Sequence, residues 1–191
     1  MLIEKSRETK ETRIALALEV EGKGESQIST GVGFFDHMLE SFAKHAGFDL
    51  KVRCEGDTHV DDHHSVEDVG IVLGQAFKEA VYPISGVERF GNAVVVMDEA
   101  AVACALDLSN RPYLVYEVPS EGKIGSFDVE LAEEFFKAFA FNAGITLHLT
   151  MERGRNRHHI VEAAFKACAV ALRRALAPNA RVGVPSTKGV L

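Results

Sequence analysis

The pentapeptide His63-His64-Ser65-Val66-Glu67 returns as His158-His159-Ile160-Val161-Glu162, 95 positions later. Self-similarity of this kind means that one supersecondary arrangement is written twice, which restricts the fold more than any single motif does. The flanks repeat as well. Gly70-Ile71-Val72-Leu73 through Ala76-Phe77 matches an equally apolar run from Phe165 to Leu172. Ala46-Gly47-Phe48-Asp49-Leu50-Lys51-Val52 matches Ala143-Gly144-Ile145-Thr146-Leu147-His148-Leu149 at an offset of 97. Further back, the helix-like run from Phe34 to Ala43 corresponds to the amphipathic stretch Leu131 to Asn142.

Hydrophobic periodicity supplies the elements between. Residues 14–20 alternate as a strand, with 27–30 as its expected hairpin partner across a turn at Gly22 and Gly24. The pattern predicts a helix over 34–46, a strand over 48–54 and a helix over 65–81. Pro83, Gly86 and Gly91 punctuate a linker. Strands follow at 93–97, 100–107 and 113–118, then helix 128–142, strand 145–151 and helix 159–176. Each half reads as roughly ββαβα, so the expected class is α+β, internally duplicated. The half-domains are expected at 1–85 and 86–191, the second carrying the C-terminal tail, packed as one compact unit.

Composition narrows the function. The chain has 191 residues, enough for a sizeable core, with 47% hydrophobic and 26% charged residues, as in soluble domains. A formal net charge of −7 argues against nucleic-acid binding, which needs an electropositive face. An anionic small molecule is still admissible through a local group of Arg and Lys. No apolar run approaches the ~20 residues of a membrane span. The charged start, MLIEKSRETKETR, is no secretory signal. Cys54, Cys104 and Cys168 are odd in number, far apart and set among apolar neighbours, which reads as free buried thiols in a cytoplasmic protein.

The repeated motif carries the chemistry. Residues four apart on a helix share a face, so His63 with Glu67, and His158 with Glu162, each suit joint chelation of one ion. His64 and His159 stand ~100° further round and point elsewhere, most simply to a second metal. His37, in Phe35-Asp36-His37-Met38, and His148, in a strand, are candidates for a third imidazole on one ion, with Asp36 as an expected partner for the His37 ring. Imidazole and carboxylate together suit Mn, Fe, Co or Zn. Such a ligand set leaves open positions in an octahedral shell, which points to catalysis rather than a structural staple. His45 and His59 have no repeat partner and no assigned role.

Gly33-Phe34-Phe35-Asp36-His37-Met38-Leu39, Asp62-His63-His64-Ser65-Val66-Glu67-Asp68 and Asn156-Arg157-His158-His159-Ile160-Val161-Glu162-Ala163 resemble the signatures of the imidazoleglycerol-phosphate dehydratases. So do Met97-Asp98-Glu99-Ala100, Asp107-Leu108-Ser109-Asn110-Arg111-Pro112-Tyr113 and Ser186-Thr187-Lys188-Gly189-Val190-Leu191. The likeness runs through essentially the whole chain, without an added phosphatase domain. It implies helices packed between two four-stranded sheets, a homo-24-mer with sites at subunit interfaces, and two Mn²⁺ ions per active site. It implies His37, His63, His64, Glu67, His148, His158, His159 and Glu162 as ligands, and Glu11, Arg89, Arg111, Lys166, Ser186 and Lys188 as substrate contacts. Glu11 is nominated as the acid/base, with Glu67 and Glu162 also placed at the catalytic centre. The basic approach Arg153-Gly154-Arg155-Asn156-Arg157 is read as a solvated loop.

The implied reaction removes water from imidazoleglycerol phosphate to give imidazoleacetol phosphate, a step of histidine biosynthesis. Its C–H bond has no adjacent carbonyl. Two Lewis acids on the ring nitrogens would stabilise an imidazolate able to expel hydroxide. The same ligand set also admits a dimetal hydrolase of a phosphorylated small molecule. The Pro-, Ser- and Gly-containing tail from Val184 is not a helix, and is expected to be loosely held until it closes on phosphate through Lys188.

Overall fold

The computed structural model describes residues 1–189. Val190 and Leu191 of the terminal motif lie outside the described residues. The first half runs β1 (Leu2–Glu8), β2 (Thr12–Glu19), β3 (Ser26–Ser29), α1 (Gly33–Ala46), β4 (Asp49–Gly56) and α2 (His63–Val81). The second runs β5 (Phe90–Met97), β6 (Ala100–Asp107), β7 (Tyr113–Glu117), a small hairpin β8 (Lys123–Ile124) and β9 (Phe127–Asp128), α3 (Glu130–Ala143), β10 (Thr146–Arg153) and α4 (Arg157–Ala175). The two main sheets have matching orders, β1-β2-β4-β3 and β5-β6-β10-β7. In each, the third strand of its half pairs parallel to the strand that follows the next helix, while the other pairings are antiparallel. The α+β expectation holds, with four helices and two four-stranded sheets among the described residues.

Period-2 patterning aims the strands. Ile14, Leu16 and Leu18 of β2 and Leu50, Val52 and Cys54 of β4 are buried, while Arg13, Lys51, Arg53 and Glu55 face outward. One hydrophobic core joins the inward faces of both sheets and all four helices. Its centre is a run of phenylalanines that crosses between the halves: Phe35 meets Phe135 at 5.4 Å, Phe77 and Phe42 meet Phe139 at 5.7 and 5.9 Å, and Phe135 stacks on Phe165 at 5.1 Å. Aromatic pairs of this kind add ~0.5–1.5 kcal/mol each beyond area burial. The repeated Ala-Gly dipeptides stop α1 and α3 in the same way. Gly47 (φ 75) and Gly144 (φ 70) adopt the left-handed conformation and donate their N–H to Ala43 and Ala140.

Three readings of the sequence are corrected. Strand β1 was not expected, because Lys5 and Arg7 occupy inward positions where apolar residues would mark a strand. They are tolerated there because Lys5 pairs with Glu79 and Arg7 Nε with Asp68 (3.0 Å), both on α2. Charges turned inward are a common device on an edge strand. Strand β3 is not the hairpin partner of β2. Both edges of β2 are taken, by β1 and β4, so β3 adds to the free edge of β4 in register Ser26↔Leu50. Asp49 Oδ1 grips the intervening loop by accepting the N–H groups of Lys23 (2.7 Å) and Glu25 (2.9 Å). Gly91 belongs to β5 rather than to a linker, and it presses on the backbone of α4 at Ala171. Among the described residues no helix is long and apolar enough to cross a membrane.

Helix α2 lies against α3 through Gly70 and Gly74. A Cβ at Gly74 would stand 2.7 Å from the Phe139 carbonyl oxygen and 2.9 Å from the Ala143 nitrogen, so backbone would have to move. Gly33, at the start of α1, has nothing within 4 Å of a Cβ. Gly74→Ala is therefore expected to destabilise by ~1–3 kcal/mol through overpacking, despite the better helix propensity of Ala. Gly33→Ala is expected to be neutral or slightly stabilising. Denaturation midpoints of the two variants measure this, and equal midpoints would show that the helix crossing has slack.

Candidate active site

The paired histidines open two helices, and each start is capped differently. At α2 the Asp61 carboxylate accepts the His63 N–H (2.9 Å). At α4 the Asn156 side chain accepts the N–H groups of His158 (2.9 Å) and His159 (3.4 Å). These caps satisfy otherwise orphaned donors of the first turn. They also fix where the backbone of each helix begins, at the first histidine or the residue before it.

Among the described residues, one set of candidate ligands converges. Nitrogen or oxygen atoms of His37, His158 and Glu162 all lie within 4.8 Å of one another. His158 Nε2 is 3.0 Å and His37 Nε2 3.6 Å from Glu162 Oε2. Helix α1 packs on α4, which brings His37 to the start of the second repeat. Glu162 is buried, and burial alone would raise its pKa. Lys166, at 2.6 Å from Oε1, outweighs that together with His158 and His37, and the carboxyl is held below its usual range. An ionised, buried carboxylate beside two imidazoles is a donor set suited to a divalent transition metal. In the first repeat, His63 Nε2 stands 3.6 Å from Glu67 Oε2, both partly exposed. The expected partnership of Asp36 with the His37 ring is not formed, because Asp36 accepts the backbone N–H (2.9 Å) and hydroxyl of Thr30.

The second histidine of each pair faces a different set of groups. Asp57 bonds His64 Nδ1 at 3.0 Å, and Glu99 bonds His159 Nδ1 at 2.8 Å. Their Nε2 atoms face Glu11 Oε2 at 3.7 Å and Asp98 Oδ2 at 3.8 Å. Glu11 and Asp98 occupy corresponding turns, β1–β2 and β5–β6. Hydrogen bonds donated to Asp57 and Glu99 raise the pKa of His64 and His159. Glu99 is pulled down to about 2 by His159 first, then by the N–H groups of Asn156 and Arg155. The turn carrying Glu11 is tied to α2 where Asp68, beside Glu67, accepts the Thr12 hydroxyl.

The arginine cluster lies elsewhere. Arg89 donates Nε and Nη2 to Asp107 (2.7 and 3.0 Å) and Nη1 to the Pro185 carbonyl (2.7 Å). Arg111 Nη2 stands 3.8 Å from Asp107, and its side chain is 71% exposed. Together with Ser109, Asn110, Ser186 and Lys188 they line a cleft of about 800 Å³. The segment that leads into the tail is held by backbone hydrogen bonds. Gly86 N–H donates to Gly183, Glu88 N–H to Ala177, and Asn179 N–H to Gly86. A slightly larger cleft, about 860 Å³ on the outer face of the first sheet, contains none of the candidate residues. Among the described residues the non-glycine positions with positive φ are Arg89 (70°) and Asn110 (52°), at the arginine cleft, and Asp98 (47°), beside His159. Backbone held in that region is commonest at functional sites.

His148 joins neither cluster. It lies on the outward face of β10, in register with Ala105 and Val115, two positions from the Thr146–Asp107 row. His45 gives its carbonyl to Arg173 Nη1 (2.9 Å). The basic approach is more than a solvated loop, since Arg157 Nε donates to the Glu121 carbonyl (2.9 Å) and Arg155 and Asn156 donate backbone N–H to Glu99. Asp57, Asp98, Glu99 and Asp107 had no assigned role in the sequence. The acidic residues around both pairs were the available signal, and only the folded chain selects among them.

The family model for imidazoleglycerol-phosphate dehydratase matches residues 30–172. The chain is 66% identical over 190 residues to the imidazoleglycerol-phosphate dehydratase of Sulfurovum sp. (strain NBC37-1), covering 100% of both chains. It is 69% identical to that of Campylobacter curvus, covering 97% of this chain and 95% of the relative. Crystal structures of the enzyme from Staphylococcus aureus (TM-score 0.84, 39% identity, 94% of this chain and 100% of the other) and from Pyrococcus furiosus in complex with (S)-C348 (TM-score 0.85, 40% identity, 98% and 100%) share its fold. With paired histidines, a buried carboxylate and a basic cleft on that fold, the chain belongs to the imidazoleglycerol-phosphate dehydratase family, the hydro-lyases of histidine biosynthesis.

Proposed function

We propose that the chain carries out the dehydration its family is named for at sites built between copies of itself, each holding two Mn²⁺ ions. The separation of the two clusters supports this reading. Asp98 and Glu99 adjoin Ala100 at one end of β6, and Asp107 closes the other end. At ~3.3 Å per residue those ends stand about 23 Å apart, further than a small phosphorylated imidazole reaches. The histidine pair of the second half and the arginine cleft of one chain therefore serve different substrate molecules. His148 lies on the outward face of this sheet, two positions from the Asp107 row that Arg89 bonds, and we assign it to a histidine set on a neighbouring copy. Phe90, Val94, Val96 and Tyr113 are large, apolar and exposed on this same sheet, as a surface buried by assembly would be. A homo-24-mer is the assembly we propose. The free, buried cysteines accord with a cytoplasmic location.

The residues divide by role. His37, His63, His64, His148, His158 and His159, with Glu67 and Glu162, hold the ions. The ions, when bound, supply Lewis acidity toward the substrate ring. Lys166 keeps Glu162 ionised. Glu11, on an anchored turn beside His64, moves the proton at the reacting carbons. Arg111, Lys188 and Ser186 bind the phosphate. Arg89 joins them with the N–H groups that Asp107 and Pro185 leave free, since a guanidinium has five. The phosphate is retained in the product, which separates this chemistry from hydrolysis.

Three measurements test the assignment. Glu11→Gln is expected to lower kcat by ~10²–10⁴-fold with metal content unchanged; near-normal kcat would remove Glu11 from proton transfer. Lys188→Ala is expected to raise KM by ~10- to 100-fold, the range for a charge-assisted hydrogen bond. An unchanged KM would leave the phosphate to the arginines. Finally, His158→Ala and Arg111→Ala, each inactive alone, should regain activity when dissociated together and reassembled, because some sites then draw both intact parts from different chains. Mixed assemblies, verified by light scattering, that stay as inactive as the separate variants would show that each chain builds its own site.

A further inference from the structure

We propose that Asp57 and Glu99 are positioning residues for metal binding: each holds the proton on Nδ1 of the second histidine in its pair and so presents the Nε2 lone pair of His64 and of His159 outward. The inference rests on the metal-binding reading above, and concerns how the chain selects the ligating nitrogen.

The argument begins with what a carboxylate can do. An ionised Asp or Glu only accepts hydrogen bonds, so a ring nitrogen 2.8–3.1 Å from it carries hydrogen. A neutral imidazole has one N–H. With that hydrogen fixed on Nδ1, Nε2 is left with its lone pair. In both rings Nε2 looks toward a carboxylate at 3.7 or 3.8 Å, beyond hydrogen-bond distance. Among the described residues, no donor takes up either lone pair. A ring free to choose would divide itself between two tautomers, one of which turns an N–H toward the ion.

Both carboxylates are themselves secured. Glu99 Oε1 accepts the N–H groups of Arg155 (3.1 Å) and Asn156 (2.7 Å), while its Oε2 holds His159. Asn156 in turn caps the helix that begins with that histidine. Asp57 is placed by its backbone, whose N–H donates to the Glu11 carbonyl and whose own carbonyl accepts from Val60. Among the described residues its carboxylate bonds only to His64.

The two carboxylates do not come from corresponding positions. Asp57 follows β4 and leads into α2, whereas Glu99 sits in the β5–β6 turn. Glu152, 95 positions after Asp57, does not bond His159. A brace inherited from the sequence repeat would recur at the repeated position. Two unrelated positions reaching the same ring atom point to a requirement at that atom.

The test is Mn²⁺ binding to metal-stripped, assembled protein, followed by the electron paramagnetic resonance of free Mn²⁺, for the parent, Asp57→Asn, Asp57→Glu, Glu99→Gln and Glu99→Asp. An amide can donate its NH₂ to Nδ1 and so permits the wrong tautomer. Asn and Gln are expected to weaken one class of site by ~10- to 100-fold. The carboxylate-preserving Glu and Asp variants should recover most of that loss. Since Glu99 also braces a loop, Asp57→Asn is the cleaner arm, and circular dichroism and light scattering confirm that each variant is folded and assembled. If Asn and Gln variants that pass those checks bind both equivalents as tightly as the parent, Asp57 and Glu99 only brace loops and the proposal is wrong. If the parent binds no Mn²⁺, the metal reading fails, and this inference with it.

Discussion

The close crossing of α2 and α3 sets the geometry on which everything else depends. Gly70 and Gly74 remove the side chains that would keep the helices apart, and Phe135 and Phe139 of α3 then reach the aromatic side chains of both halves. Interiors packed to crystal-like density transmit position with little slack. All the candidate metal ligands except His148, which is on β10, stand in the first turns of α2 and α4 or on α1, so their relative placement is a product of helix packing. The pairing of α1 with α4 brings His37, from the first half of the chain, against His158 and Glu162 from the second.

A second constraint is electrostatic. Several carboxylates drawn into this protein are matched by a cation or a hydrogen-bond donor. Glu162 has Lys166, Asp68 has Arg7 and the Thr12 hydroxyl, and Asp107 has Arg89. Removing one member would leave an uncompensated buried charge, which costs more than the pair contributes. The same pairs tie functional turns to rigid elements. Asp68 fastens the turn that carries Glu11 to the helix that carries His64. Asp107 fastens the backbone near the linker to β6, where the base of the tail is also held through Arg89.

Much of this was legible in the residues. Strand alternation in β2 and β4, Ala-Gly helix stops, and the spacing of His63 with Glu67 and His158 with Glu162 are local properties, and the structure shows each. The misreadings share one cause. Strand β1 hides because its inward Lys5 and Arg7 are neutralised by α2, a contact more than sixty residues away. Once β1 is overlooked, β2 seems to have a free edge, and β3 is assigned to it. Asp36 looked like a histidine partner from its adjacency, yet the Thr30 backbone and hydroxyl claim it.

The sequence by itself determined the chemistry on offer: two imidazole pairs with a carboxylate four residues on, a handful of arginines and lysines in an acidic chain, and two similar runs of elements to carry them. These follow from local periodicity, which acts within a few residues and needs no partner. The tertiary structure decided which of those groups meet. It joined His37 to His158 and Glu162, gave His64 to Asp57 and His159 to Glu99, and turned His148 to the far face of its sheet. It also set the arginine cleft a strand's length from the second histidine pair. Those decisions depend on non-local packing and on competition among acceptors for the same donors, neither of which is written in the spacing of residues along the chain.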